Sequence, residues 1–118
     1  MDSDEVIERC LSFPGTESDF PFGPDTMTIR VSGKIFAFVP VAASRATVSL
    51  KGDPDDNVEL RRTFPSVEGA YHLNKRHWNG VPLDGSVPDD EIQFLIEQSF
   101  RLVAAGLTRR SRVELGIE

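Results

Sequence analysis

Thr26-Met27-Thr28-Ile29-Arg30-Val31-Ser32-Gly33-Lys34-Ile35-Phe36-Ala37-Phe38-Val39 is the stretch whose reading decides the fold. Residues 26–31 alternate, with Met27, Ile29 and Val31 on one face and Thr26, Thr28 and Arg30 on the other. That period of two marks a half-buried strand. Ser32-Gly33-Lys34 reads as a tight turn, so residues 35–39 return as the second strand of a hairpin. So short a connection requires antiparallel pairing.

Further along, residues 46–50 read as a third strand, with Ala46, Val48 and Leu50 sharing a face. Asp53-Pro54-Asp55-Asp56 opens a helix: Asp53 is placed as N-cap, Pro54 suits the first helical position, and the acids favour the positive end of the dipole. The helix runs to about Phe64 and stops at Pro65. Two more strands are expected at 67–71 and 78–84, the second at an edge or with a bulge because of Gly80 and Pro82. Ser86 and Asp89 resemble a capping box for a last helix, in which Ile92, Leu95, Ile96, Ser99, Phe100 and Val103 keep the helical period and Gly106 is the C-cap.

Before the hairpin, residues 3–12 read as a helix with Ser3 as N-cap and a stripe of Val6, Ile7, Cys10 and Leu11, ended by Pro14-Gly15. Cys10 on that stripe is expected to be a buried, neutral thiol. Phe20-Pro21-Phe22-Gly23-Pro24 reads as an aromatic loop, since neither Pro21 nor Pro24 can donate a backbone hydrogen bond. The predicted order is α-β-β-β-α-β-β-α, an α+β fold with an antiparallel sheet and helices packed on one face. One domain over 1–107 is expected, followed by a C-terminal tail, 108–118, that is frayed or helical only in context.

The chain has 118 residues, of which 39% are hydrophobic and 27% charged, values that suit one folded core. No apolar run approaches the ~20 residues needed to span a bilayer. The acidic opening Met1-Asp2-Ser3-Asp4-Glu5 is unlike a basic targeting leader, which points to the cytoplasm. A lone cysteine excludes an internal disulfide. The net charge of −6 arises entirely in residues 1–25, where seven acids face one base, Arg9. The remainder is neutral, which allows a local basic face but no general attraction to phosphate.

Catalytic signatures are absent. There is no GxxxxGK, GxGxxG, HExxH or GxSxG. His72 and His77 are five apart, a poor spacing for metal on one helix face. Ser86, His77 and Asp84 form a triad only on paper, because the Ser86 hydroxyl is already explained as a cap. No catalytic residue, metal or cofactor is expected, so the chain reads as a non-enzyme; an enzyme would need a cleft pairing His77 with a second titratable group.

One segment lacks an evident structural reason. In Tyr71-His72-Leu73-Asn74-Lys75-Arg76-His77-Trp78-Asn79, four polar donors in a row (Asn74, Lys75, Arg76, His77) are flanked by Tyr71, His72 and Trp78. Donors suit phosphates and base edges, and flat rings suit stacking or an apolar ligand. Arg61 and Arg62 of the second helix can join them. The plainer alternative is a polar connection anchored to the core by Tyr71 and Trp78.

This segment, together with Leu11-Ser12-Phe13-Pro14-Gly15-Thr16-Glu17, Asp19-Phe20-Pro21-Phe22-Gly23-Pro24, Gly33-Lys34-Ile35-Phe36-Ala37, Val48-Ser49-Leu50-Lys51, Leu83-Asp84-Gly85-Ser86 and Pro88-Asp89, resembles the MmcQ/YjbR family from the first helix to about Leu107. The resemblance implies a two-layer α/β sandwich with an antiparallel sheet, related to the CyaY-like and secretion-chaperone-like architectures. It also implies DNA binding through a double-wing motif. Carried onto this chain, the contact segment is Asn74, Lys75, Arg76, His77 and Trp78, with Lys51 as a neighbour. The chain departs from the family pattern at Gly80, where threonine is usual, and at Pro82.

Two readings follow. In the first, Lys75 and Arg76, with Arg61 or Arg62, contact DNA phosphates and Asn74 or His77 lies near base edges, giving weak, salt-sensitive binding. In the second, the rings of Phe20, Phe22, Tyr71 and Trp78 form a surface for a protein partner or a small ligand. No membrane partner is expected.

Overall fold

In the computed structural model, which describes residues 1–41, 46–70 and 73–117, the hairpin pairs Ile29 with Ala37 and Thr28 with Phe38. Ser32 and Gly33 turn it with φ of 48° and 84°, the left-handed backbone that two-residue hairpin turns need. The ladder is not regular. Ile29 faces Ala37 but Arg30 faces Ile35, which leaves Phe36 as an extra residue in a β-bulge. Consecutive Phe36 and Ala37 are therefore both buried, and Phe38 turns to the other face.

The element order is α1 (Ser3–Leu11), β1 (Thr16–Asp19), β2 (Thr26–Val31), β3 (Lys34–Pro40), β4 (Thr47–Lys51), α2 (Pro54–Thr63), β5 (Glu68–Gly69), β6 (Trp78–Pro82), α3 (Asp89–Ala105) and α4 (Arg109–Glu114). Among the described residues, six strands form one antiparallel sheet in the order β1-β2-β3-β4-β6-β5. The α+β class holds, and the predicted order gains a strand and a short helix.

The added strand, β1, carries no apolar alternation; Glu17, Ser18 and Asp19 are exposed, and backbone pairing to β2 alone defines it. The added helix lies in residues 108–118. Thr108 caps α4, and Leu115 and Ile117 pack against the core. Leu115 covers Gly15 so closely that a Cβ there would overlap its Cδ2.

Three local expectations need correction. Asp2, not Ser3, caps α1, in a capping box: the Glu5 amide donates to Asp2 Oδ1 at 2.8 Å and the Asp2 amide to Glu5 Oε1 at 3.2 Å. Ser86 does not cap α3, which begins after Pro88 without a side-chain cap; its hydroxyl bonds Asp84 and Ser66 instead. β6 is an interior strand, not an edge. Pro82 is accommodated because β5 pairs only with Gly80 and Asn79, so the missing N–H lies beyond its end. Gly80 keeps β4 and β6 in register, since a Cβ would sit 2.9 Å from Thr47 Cγ2.

Helices α1 and α3 cover one face of the sheet. Val6 and Cys10 of α1 and Ile92, Ile96 and Phe100 of α3 pack on Ile29, Val31, Ala37, Val39, Val48, Leu50 and Val81. Each such aliphatic or aromatic side chain contributes ~1.5–3 kcal/mol by leaving water. Phe13 stacks on Phe100 with centroids 4.5 Å apart, and Phe36 meets Phe100 edge-on at 5.4 Å. The buried Ser99 hydroxyl donates to the Phe36 carbonyl and accepts the Lys51 amide at 2.9 Å. It thus satisfies two backbone groups that the β3–β4 ladder leaves unpaired at the bulge.

Among the described residues, no helix packs on the opposite face. By alternation it holds Thr26, Thr28, Phe38, Pro40, Thr47, Ser49, Lys51, Trp78 and Gly80.

Candidate functional site

Across this helix-free face runs a row of rings. Phe22, 68% exposed on its loop, stacks on Phe38 at 6.2 Å, and Phe38 meets Trp78 edge-on at 5.4 Å. Phe22, Thr26, Phe38, Pro40, Thr47, Ser49 and Leu73 line a groove of about 550 Å³. Its walls are apolar, and the hydroxyls of Thr26, Thr47 and Ser49 have no protein partner among the described residues. Lys51 lies directly across from Trp78 on the neighbouring strand.

The Asn74–Trp78 segment is a turn entering β6. The His77 and Trp78 amides donate to the Asn74 carbonyl at 3.1 and 2.9 Å, and the Arg76 amide to Asn74 Oδ1 at 2.9 Å. Asn74 therefore shapes the turn. The Gly52 amide donates to the His77 carbonyl at 2.9 Å, which ties the turn to the end of β4.

A buried polar network anchors the same turn to α2. Asn57 Nδ2 donates to the carbonyls of Gly52 and Arg76 at 3.1 and 3.0 Å, and Asn79 Nδ2 to the Asn57 carbonyl at 3.3 Å. Arg61 Nη1 donates to Asn79 Oδ1 at 2.6 Å and to the Lys75 carbonyl at 3.3 Å. Gly52 is required at this point, because a Cβ would lie 2.1 Å from Asn57 Oδ1.

The eight candidate residues are thereby sorted. Lys51 and Trp78 share the helix-free face. The aliphatic stem of Lys75 lies over Gly69, which pairs with Asn79 and so belongs to the helix-bearing side at the sheet edge. Arg76 is exposed, His77 half-buried and Asn74 exposed. Arg61, half-buried, is committed to Asn79 and the Lys75 carbonyl, and Arg62 turns to Glu59 at 3.7 Å. The cations therefore form no single ridge: Lys51 and Lys75 lie on opposite sides of the end of the sheet. Lys51, Lys75 and Arg76 have no ion pair among the described residues.

Of the aromatic candidates, Phe20 is 45% exposed and Trp78 half-buried. Tyr71 and His72 lie outside the described residues. Phe38, Leu73, Thr26, Thr47 and Ser49 were not foreseen as groove residues. Phe38 and Phe36 share a parity on a regular strand, so only the bulge separates them; an Ile-Phe-Ala-Phe run with two large rings was the available signal.

At the far end of the face, Asp19 accepts hydrogen bonds from the Thr28 hydroxyl and from Arg30 Nε. These contacts, Thr28 first, hold its carboxyl below the usual carboxylate range. Cys10 is buried under α1, and desolvation pushes its thiol up to about 12. Among the described residues no three His, Cys, Asp or Glu side chains cluster as a metal site requires, and no helix is long and apolar enough to cross a membrane.

A family model described as YjbR matches residues 11–102. The chain is similar to the uncharacterized protein YjbR of Escherichia coli K12, 36% identical over 101 residues and 86% of each chain. It is 31% identical to the uncharacterized protein YbdF of Escherichia coli O157:H7, over 92% of this chain and 89% of that one. Among solved structures, the Deinococcus radiodurans protein DR2400, with domain DUF419, superposes with a TM-score of 0.90 at 35% identity, covering 98% of this chain and 88% of that one.

Proposed function

The chain belongs to the YjbR family, and on that premise we propose that it is a non-catalytic DNA-binding protein whose contact surface is the helix-free sheet face and the adjoining Asn74–Trp78 turn. The observation that carries this reading is the ring row of Phe22, Phe38 and Trp78 beside Lys51, an ammonium group without an acid partner among the described residues. Rings take base faces and cations take phosphates. Lys75 and Arg76 add two cations without an acid partner among the described residues at the same turn. Arg61 and Arg62 have other partners, and neither belongs to the contact set.

Three cations predict weak binding whose log–log salt slope is about −2 to −3. Fluorescence anisotropy of a labelled oligonucleotide at two salt concentrations tests this. Binding at low salt that is lost at high salt, and weakened in a Lys51→Ala/Lys75→Ala/Arg76→Ala variant, supports the reading. No binding at low salt, or a triple variant equal to the parent, overturns it.

A second reading, a small apolar ligand, is favoured by the groove itself. Its volume of about 550 Å³ lies inside the common range for small-molecule sites. A saturable change in Trp78 emission with a small aromatic probe, without any response to oligonucleotide, selects that reading.

A further inference from the structure

We infer that the groove between Phe22, Phe38 and Leu73 receives an unpaired nucleobase, so that the DNA bound is single-stranded; this rests on the DNA-binding reading above. A duplex buries the faces of its bases in its own stack and offers a protein edges and phosphates. It has nothing to place on a ring row. Here the rings dominate the surface: among the described residues Phe22 has one ring partner, Phe38, and is 68% exposed. Stacking of this kind is sequence-tolerant, because every base has a π-face.

The polar lining fits the same ligand. Thr26, Thr47 and Ser49 place three hydroxyls without a partner among the described residues in an otherwise apolar groove. Each can donate or accept, which suits the mixed edge of a nucleobase better than a hydrocarbon. Lys51, across from Trp78, supplies a cation for the phosphate of a base lodged beside it. Of the acids that the register places on this face, Asp19 is paired with Arg30 at 3.2 Å, and Glu17 and Glu68 lie on strands β1 and β5, away from Lys51 on β4.

The test compares one labelled single strand with the duplex of the same sequence on the full chain at low salt, by anisotropy and by emission of the single tryptophan, Trp78. Single-strand binding about tenfold or more tighter than duplex binding, with quenching of Trp78, is expected. Phe22→Ala, at a site too exposed to threaten folding, is expected to weaken the single strand about fivefold or more. Equal or tighter duplex binding overturns this inference and leaves DNA binding standing. Failure of both ligands to bind overturns both. Single-strand binding that neither quenches Trp78 nor responds to Phe22→Ala removes the groove as the place of contact.

Discussion

Arg61 Nη1 donates to Asn79 Oδ1 at 2.6 Å, linking the last turn of α2 to an interior strand. Asn79 is buried and its amide is already committed to the Asn57 carbonyl. Replacing Arg61 by Met strands the Asn79 oxygen, and a loss of ~1–3 kcal/mol of unfolding free energy is expected in urea titration. Arg62→Met, one residue on, removes only an exposed ion pair and is expected to change stability by less than ~0.5 kcal/mol. Equal effects of the two would show that the network does not hold the turn.

Ser99→Ala tests the support beneath the bulge. The variant leaves the Phe36 carbonyl and the Lys51 amide without their partner, so a destabilisation of ~1–3 kcal/mol is expected by thermal or chemical unfolding. Ser99→Thr, which retains the hydroxyl, separates the lost hydrogen bonds from the lost volume. A neutral Ser99→Ala would mean that the bulge satisfies itself.

The contact between Gly80 and Thr47 predicts a coupled pair. Gly80→Ala alone is expected to destabilise by ~1–3 kcal/mol through overpacking against Thr47 Cγ2. Thr47→Ala removes that methyl, so the double variant is expected to recover most of the loss. Strict additivity in a double-mutant cycle would contradict the assignment.

Asp19 gives a pH dependence with a definite sign. Its carboxyl titrates lower folded than its ordinary value of 3.8. The stabilisation is therefore fully present above that value and is lost as pH falls through the folded pKa. Wild type is expected to melt above Asp19→Asn at neutral pH, with the gap closing as pH falls below 3.8. A gap that stays constant with pH would show that ionisation is not its origin.

Cys10 is expected to be inert in the native protein. A thiol titrating at about 12 holds a negligible thiolate fraction at pH 8, and the side chain has no exposed surface. Disulfide-exchange reagents are expected to label the urea-unfolded chain at least about a hundredfold faster than the native one. Comparable rates would mean that α1 opens readily.

Much of this fold was legible because its elements carry local signals. Thr26–Val31 alternates, and Asp53-Pro54 opens α2 as N-cap and first residue. β1 escaped because an exposed edge strand needs no apolar period; its pairing with β2 is a backbone property. The interior place of β6 escaped because Gly80 and Pro82 are poor strand formers, tolerated through the particular sizes of Thr47 and β5. The site was half legible. Lys51, Lys75, Arg76 and Trp78 stood out by type, whereas the role of Arg61 depends on Asn57 and Asn79, distant in sequence and buried together.

The insertion at Phe36 also determines what the outer surface is made of. Were the same sequence to pair as a regular ladder, Phe36 would stand opposite Ile29 and every position beyond it would exchange sides. Phe38 would then point inward, Trp78 would lose its neighbour, and the platform would break in the middle while the barycentre of the hydrophobic interior hardly moved. In this small chain, a single surplus peptide unit separates a surface that has something to offer a ligand from one that does not.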